Sequence, residues 1–233
     1  MKCLNGNLMP ARRPFTLIEM VIVLAVLMVM LVLAKPVFER VALGSGVDNS
    51  VRLINSQLML ARTAAISTRQ RVAVVFPGLN NSILTSTTQV PDAANYKSVI
   101  ICTVDTNGVY QGALSGSKIE FLPVGTSIVR VQNSSGASSL SQGNNSTPPG
   151  FGSTTISAIK WADYGLTTNT KHLSTCYGVI FTPRGTESGN NDRYITVAEA
   201  EVISNSPFNM LVRNIQNQAT LKVTGFSGKT GAP

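Results

Sequence analysis

The chain has 233 residues, 43% of them hydrophobic and 13% charged, with a formal net charge of +8. That balance is too apolar for a disordered chain, and three cysteines are too few for a small disulfide-built scaffold. His172 is the single histidine, so no multi-histidine metal site exists and a Ser-His-Asp arrangement would have to rest on it alone.

Residues 1–14 carry Lys2, Arg12 and Arg13 and no acidic residue, which keeps this end cytoplasmic by the positive-inside rule. The next segment reads Phe15-Thr16-Leu17-Ile18-Glu19-Met20 and then runs without a polar residue to Ala34. The 20 residues from Phe15 to Ala34 span about 30 Å as a helix, the thickness of a bilayer's hydrocarbon core. Residues 15–35 are therefore expected to form a transmembrane helix, with everything beyond Lys35 exported. Val32-Leu33-Ala34 is also a passable cleavage site for an ordinary signal peptide. Against that reading stands Glu19, a carboxylate four residues inside the apolar run. Such a charge is costly in a membrane, and something must compensate it.

Pro36 follows at a position where a proline removes one helical hydrogen bond and kinks the axis. Gly44-Ser45-Gly46 is a loosening point, with Asp48 available to cap a restarted helix. Val47, Val51, Ile54, Leu58, Ala61 and Ala65 then recur every three or four residues, predicting that the helix of residues 36–71 is amphipathic and packs on the chain's own sheet. Residues 72–76 (Val72-Ala73-Val74-Val75-Phe76) begin a β-rich domain extending to residue 233. Further strands are expected at 83–87, 97–104, 118–122, 127–132, 177–182, 194–203, 210–215 and 220–224, with no second long helix. Residues 132–155, nearly all Ser, Gly, Asn, Thr and Pro, read as an exposed polar loop. The fold class is α+β: a long N-terminal helix on an antiparallel, β-sandwich-like domain with one core.

Arg13-Pro14-Phe15-Thr16-Leu17-Ile18-Glu19-Met20, with its basic leader and apolar continuation, resembles the class III signal of type IV pilins and type II secretion pseudopilins. Pro14 stands where that family usually has glycine. Leu60-Ala61-Arg62-Thr63-Ala64-Ala65-Ile66 with Arg69-Gln70-Arg71-Val72, and Phe181-Thr182-Pro183-Arg184-Gly185, resemble the H-type (GspH/FimT-like) minor pseudopilins. The resemblance implies a pilin-like fold and a structural subunit of a periplasmic secretion filament or, alternatively, of a type IV pilus. It also implies cleavage by a prepilin peptidase between Pro14 and Phe15, N-methylation of Phe15, and filament assembly through Thr16 and Glu19. The helix kink would lie at Pro36. The implied partners are the peptidase, other pilin-like subunits and the inner membrane.

No catalytic, cofactor or metal constellation is evident. Glu187 and Asp192, flanking Gly189-Asn190-Asn191, read as an ordinary solvated turn, and Trp161 as core or rim. Removing Lys2, Arg12 and Arg13 takes the net charge from +8 to +5. The cluster Arg62, Arg69 and Arg71 lacks interleaved aromatics, so it reads as a solvated helix end rather than a nucleic-acid site. In an oxidising compartment Cys102 and Cys176 could pair, or remain two buried thiols. A binding module on an uncleaved anchor and an anchored hydrolase are the competing function classes. The first has only the polar loop behind it, and the second has no constellation at all.

Overall fold

The computed structural model describes residues 17–78, 95–133, 142–145, 154–165, 173–205 and 208–231, with backbone alone at 33–44, 154, 173–175, 204–205 and 208. The expected strand at 83–87, His172, and the leader with Pro14, Phe15 and Thr16 lie outside the described residues. The chain divides into two compact units, Met1–Val41 and Ala42–Pro233.

Helix α1 runs from Leu17 to Thr68 without interruption. The loosening point at residues 44–46 does not break the helix, and exposed Asp48 is an interior helical residue rather than a cap. Gly46 is there for contact: it is buried, and a Cβ on it would come within 3.1 Å of the Thr126 methyl. The Ser50 hydroxyl donates to the Gly46 carbonyl at 2.8 Å and shares a hydrogen bond of 2.8 Å with the Thr126 hydroxyl. These contacts offset the roughly 1 kcal/mol that glycine costs inside a helix.

Among the described residues eleven strands follow: β1 (Arg71–Phe76), β2 (Ser98–Val104), β3 (Tyr110–Ala113), β4 (Glu120–Phe121), β5 (Thr126–Gln132), β6 (Gly143–Asn145), β7 (Thr154–Lys160), β8 (Leu173–Phe181), β9 (Arg193–Asn205), β10 (Phe208–Val223) and β11 (Thr230–Gly231). They form two antiparallel sheets. One has the order β3-β2-β1-β8-β7, with β4 also pairing β2. The other has the order β11-β10-β9-β5, with β6 also pairing β10.

Strand β1 is central and apolar on both faces. Val72, Val74 and Phe76 join Ile54, Leu58, Ala61 and Ala65 of the helix in one core, together with Ile128, Ile195, Val197 and Val223 of the second sheet. Ala73 and Val75 face the other way, into a cluster with Ile100, Cys102, Ile156, Trp161, Tyr164, Cys176 and Ile180. The first sheet curls around this second cluster. A parallel bridge joins Val109 to Ser157, and the Ser157 N–H donates to the Gly108 carbonyl at 3.1 Å. A one-turn 3-10 helix, Trp161–Tyr164, supplies the buried Trp161 and Tyr164.

Three sequence expectations need correction. Residues 132–155 are not one exposed loop. Gln132 ends β5, residues 143–145 form β6 against Met210, Leu211 and Val212, and Thr154 opens β7. The strands expected at 210–215 and 220–224 are one strand, β10, whose register slips between Asn214↔Glu199 and Gln218↔Ala198. Residues 215–217 are a bulge there, not a turn. The helix stops at Thr68, short of Arg71, because Arg69 enters the left-handed region at φ 55.

Candidate assembly helix

Residues 17–32 of α1 present no buried side chain on any face. Fourteen large apolar residues there are exposed, from Val23 and Val26 at 48% to Leu17 at 84%. Full burial of such side chains contributes roughly 1.5–3 kcal/mol each, so covering this surface is worth on the order of 20 kcal/mol. A helix apolar all round is built for lipid or for a bundle of other helices, not for water. Among the described residues no helix is long and apolar enough to cross a membrane.

Glu19 is the charged residue of this segment and sits in the first helical turn, where a carboxylate is favoured by the helix dipole. Pro36 lies inside the continuous helix, and its missing N–H leaves the Val32 carbonyl without the usual partner four residues on.

The half of α1 beyond Val41 has a different surface. Val47, Ile54, Leu58, Ala61 and Ala65 are buried as the spacing predicts, and Val51 is half-buried. At the C-terminal end of the helix, Arg62 donates from Nε to the Gly185 carbonyl at 3.0 Å. Gly185 sits at φ 77, a left-handed conformation that favours glycine, and a Cβ there would meet Ile66 Cδ1 at 2.7 Å and displace it, so glycine suits the Pro183-Arg184-Gly185 turn where it closes on the helix. Gly185 N–H donates to Thr182 O at 2.8 Å and Thr182 N–H to Thr186 O at 2.9 Å.

Behind this turn is a buried network that the sequence did not reveal. Glu187 is fully buried, against the expectation of a solvated turn. Arg193 pairs with it, Nη2 to Oε1 at 2.8 Å and Nε to Oε1 at 3.1 Å. The other carboxylate oxygen accepts from Gly189 N–H at 2.7 Å and Asn191 N–H at 3.2 Å. Arg193 also donates to Asn133. Asp192 accepts from Lys222 at 2.7 Å and from Gly225 N–H at 3.0 Å, and the Lys222 bond first of all holds its carboxyl below the usual range. The turn is thus stapled from both sides. Two acids flanking a Gly-Asn-Asn run were the only local trace, and nothing in that spacing says that one is buried.

Cys102 and Cys176 are free and buried. They stand on β2 and β8, which flank β1 rather than each other. Cys102 lies opposite Ala73, whereas Cys176 lies one residue past Tyr177, the partner of Phe76, so their Cα atoms are separated by at least two strand spacings, roughly 10 Å or more, beyond the limit of about 7 Å for a disulfide. Burial pushes both thiols up to about 12. Burial likewise raises the Tyr164 hydroxyl, which donates to the Ile101 carbonyl at 2.8 Å.

The basic cluster does not act as one. Arg62 is tied to Gly185, whereas Arg69 and Arg71 line a groove of about 540 Å³ at the end of β1 and β2. Among the described residues, no group of three or more His, Cys, Asp and Glu is placed to hold a metal ion.

No family model matches the chain, and no curated protein matches it. Two solved structures are similar, both of the type IV minor pilin FimU of Pseudomonas aeruginosa strain PAO1, in space groups P21 and P65. The first is 12% identical over 80% of this chain and 87% of that one, with a TM-score of 0.41. The second is 12% identical over 80% and 91%, with a TM-score of 0.38. Similarity at that level assigns neither partner nor activity to this chain.

Proposed function

We propose that this chain is a minor pilin-like subunit, a structural and non-enzymatic component of the periplasmic pseudopilus of a type II secretion system, of the H-type. Membership of a type IV pilus is the alternative, and the residues favour neither by a specific contact. One observation carries the proposal: the helix that begins at Leu17, directly after Phe15-Thr16 in the sequence, is apolar and exposed on every face over residues 17–32 apart from Glu19, while residues 47–65 of the same helix are committed to the chain's own core. One half of the helix needs an external partner, and the other half already has an internal one.

In this reading the basic leader stays in the cytoplasm, the apolar half waits in the inner membrane and the β-domain lies in the periplasm. A prepilin peptidase cuts between Pro14 and Phe15 and methylates the new amine. Assembly exchanges lipid for the apolar helices of neighbouring subunits, a swap that is nearly neutral per unit area and therefore reversible. Register then falls to polar groups. The Glu19 carboxylate meets the Phe15 amine of an adjacent subunit in a low-dielectric helix core, where a mispaired charge is strongly penalised.

Glu19→Leu tests this. The variant should insert and accumulate normally yet be depleted from isolated filaments by at least about a hundredfold, since the 3–5 kcal/mol of an unpaired buried charge corresponds to roughly 10²–10³-fold or more. Incorporation of Glu19→Leu at the wild-type level would sink the assembly role and favour a binding module on an anchor.

A further inference from the structure

The groove at the end of α1 is lined by two cations that no structural duty explains. Among the described residues, neither Arg69 nor Arg71 makes an ion pair or side-chain hydrogen bond. Arg69 is also placed at a conformational cost. It follows the last helical residue, Thr68, at φ 55, where helices ordinarily carry glycine. A residue held in an unfavourable backbone region, with its side chain lining a groove, points to use of that side chain.

Arg71 opens β1 opposite Val104, so it stands at the mouth of the first sheet beside the β2–β3 connection. Gln70, Gln111 and Thr106 add exposed neutral donors and acceptors. Asp105 lines the groove too, its Oδ1 accepting from the Asn107 and Val109 N–H groups at 2.8 Å each, which fixes that connection.

The combination selects among anions. Guanidinium forks suit carboxylate and phosphate equally. Asp105 sets a fixed negative charge beside the cations, which penalises a ligand carrying a phosphate at every residue more than a peptide whose carboxylates are spaced to meet the two arginines alone. A peptide backbone presents N–H and C=O in alternation, which the two glutamines, Thr106 and Asp105 can match. No aromatic side chain lines the groove, so base stacking is not available. We propose that the groove formed by Arg69, Arg71, Gln70, Gln111, Thr106 and Asp105 docks an extended acidic peptide segment of a partner protein. The arginines take its carboxylates, and the amides and Asp105 take its backbone. The inference stands on this groove alone and does not require the filament reading.

The test is fluorescence polarisation with the full-length protein in non-ionic detergent micelles. The probe is a fluorescein-labelled peptide alternating Glu and Ser, and the control is the Gln–Ser peptide of equal length. The Glu–Ser peptide should bind, weaken as salt is added, and lose about tenfold in affinity in Arg71→Gln. Arg69→Gly separates binding from folding. It removes the charge but suits the left-handed backbone, so affinity should fall about tenfold while the unfolding temperature rises. Equal binding of the Gln–Ser peptide, or unchanged affinity in both variants, would overturn the proposal. So would tighter binding of a single-stranded oligonucleotide of matched charge, which would reassign the groove to nucleic acid.

Discussion

The two halves of α1 share one backbone and differ in where their apolar side chains go. Over residues 17–32 apolar residues occupy every face and none is buried. Over residues 47–65 they occupy one stripe, and that stripe is buried against β1, β2, β8 and the second sheet. Helix propensity does not separate them; the angular distribution of hydrophobicity does. A stripe specifies one partner surface and therefore a fold. An all-round apolar surface specifies a medium, and only a polar exception such as Glu19 can specify an orientation within it. With the proposed role, stability and assembly fall to different segments of a single element, and substitutions in the two should affect different measurements.

The largest expected effect lies where the packed half is stapled at its C-terminal end. Glu187→Ala leaves Arg193 buried opposite an empty site, and the β-domain should lose about 3–5 kcal/mol in denaturant unfolding. A loss below about 1 kcal/mol would mean that water or Asn133 carries Arg193 alone. The comparison itself is tested by a matched pair. Leu58→Ala should cost about 3 kcal/mol by leaving a cavity, whereas Leu24→Ala, on the exposed half, should leave unfolding of the β-domain unchanged and reduce filament incorporation instead. Equal destabilisation by both would erase the distinction.

A smaller effect should appear at alkaline pH. Cys102 and Cys176 are held protonated in the folded state, pushed up to about 12 from an ordinary 9.0. Because the unfolded chain releases these protons first, the stability is fully present below about pH 9 and is lost as pH rises toward 12. At pH 10 the loss is about 1.4 kcal/mol per thiol. Urea unfolding of wild type and Cys102→Ala across pH 8–11 checks this, and parallel slopes would contradict it.

What could be read from the sequence follows the same division. Patterns that act through side-chain burial were legible: the three-and-four spacing of Ile54, Leu58, Ala61 and Ala65, and the unbroken apolar run of β1, which is buried on both faces. Elements held by backbone pairing were not. β6 is Gly143-Asn144-Asn145, with no apolar pattern, and exists because β10 offers it an edge. β3, Tyr110-Gln111-Gly112-Ala113, lines up on β2 in the same way, and in β7 the positive φ of Ala158 interrupts the alternation. Gly46 was misread because glycine signals a break locally but allows close approach in three dimensions, and only the position of Thr126 decides which. The Phe15–Glu19 motif on which the proposed assembly role rests is local in sequence, and its first two residues lie outside the described ones. The Arg69–Arg71 groove was visible only as a basic cluster, because the sequence does not show that the Gly185 turn takes Arg62 while residues of β2 and the β2–β3 connection line a groove with the other two.

The proposed role of the apolar half of α1 as a processed assembly helix rests on cleavage directly before Phe15. The most direct measurement is the intact mass of the membrane-extracted protein from cells with a prepilin peptidase, beside a peptidase-deficient control. The account predicts a product beginning at Phe15 and heavier by one methyl group, in the first strain alone. A full-length chain in both strains, or a product beginning at Lys35, would contradict it.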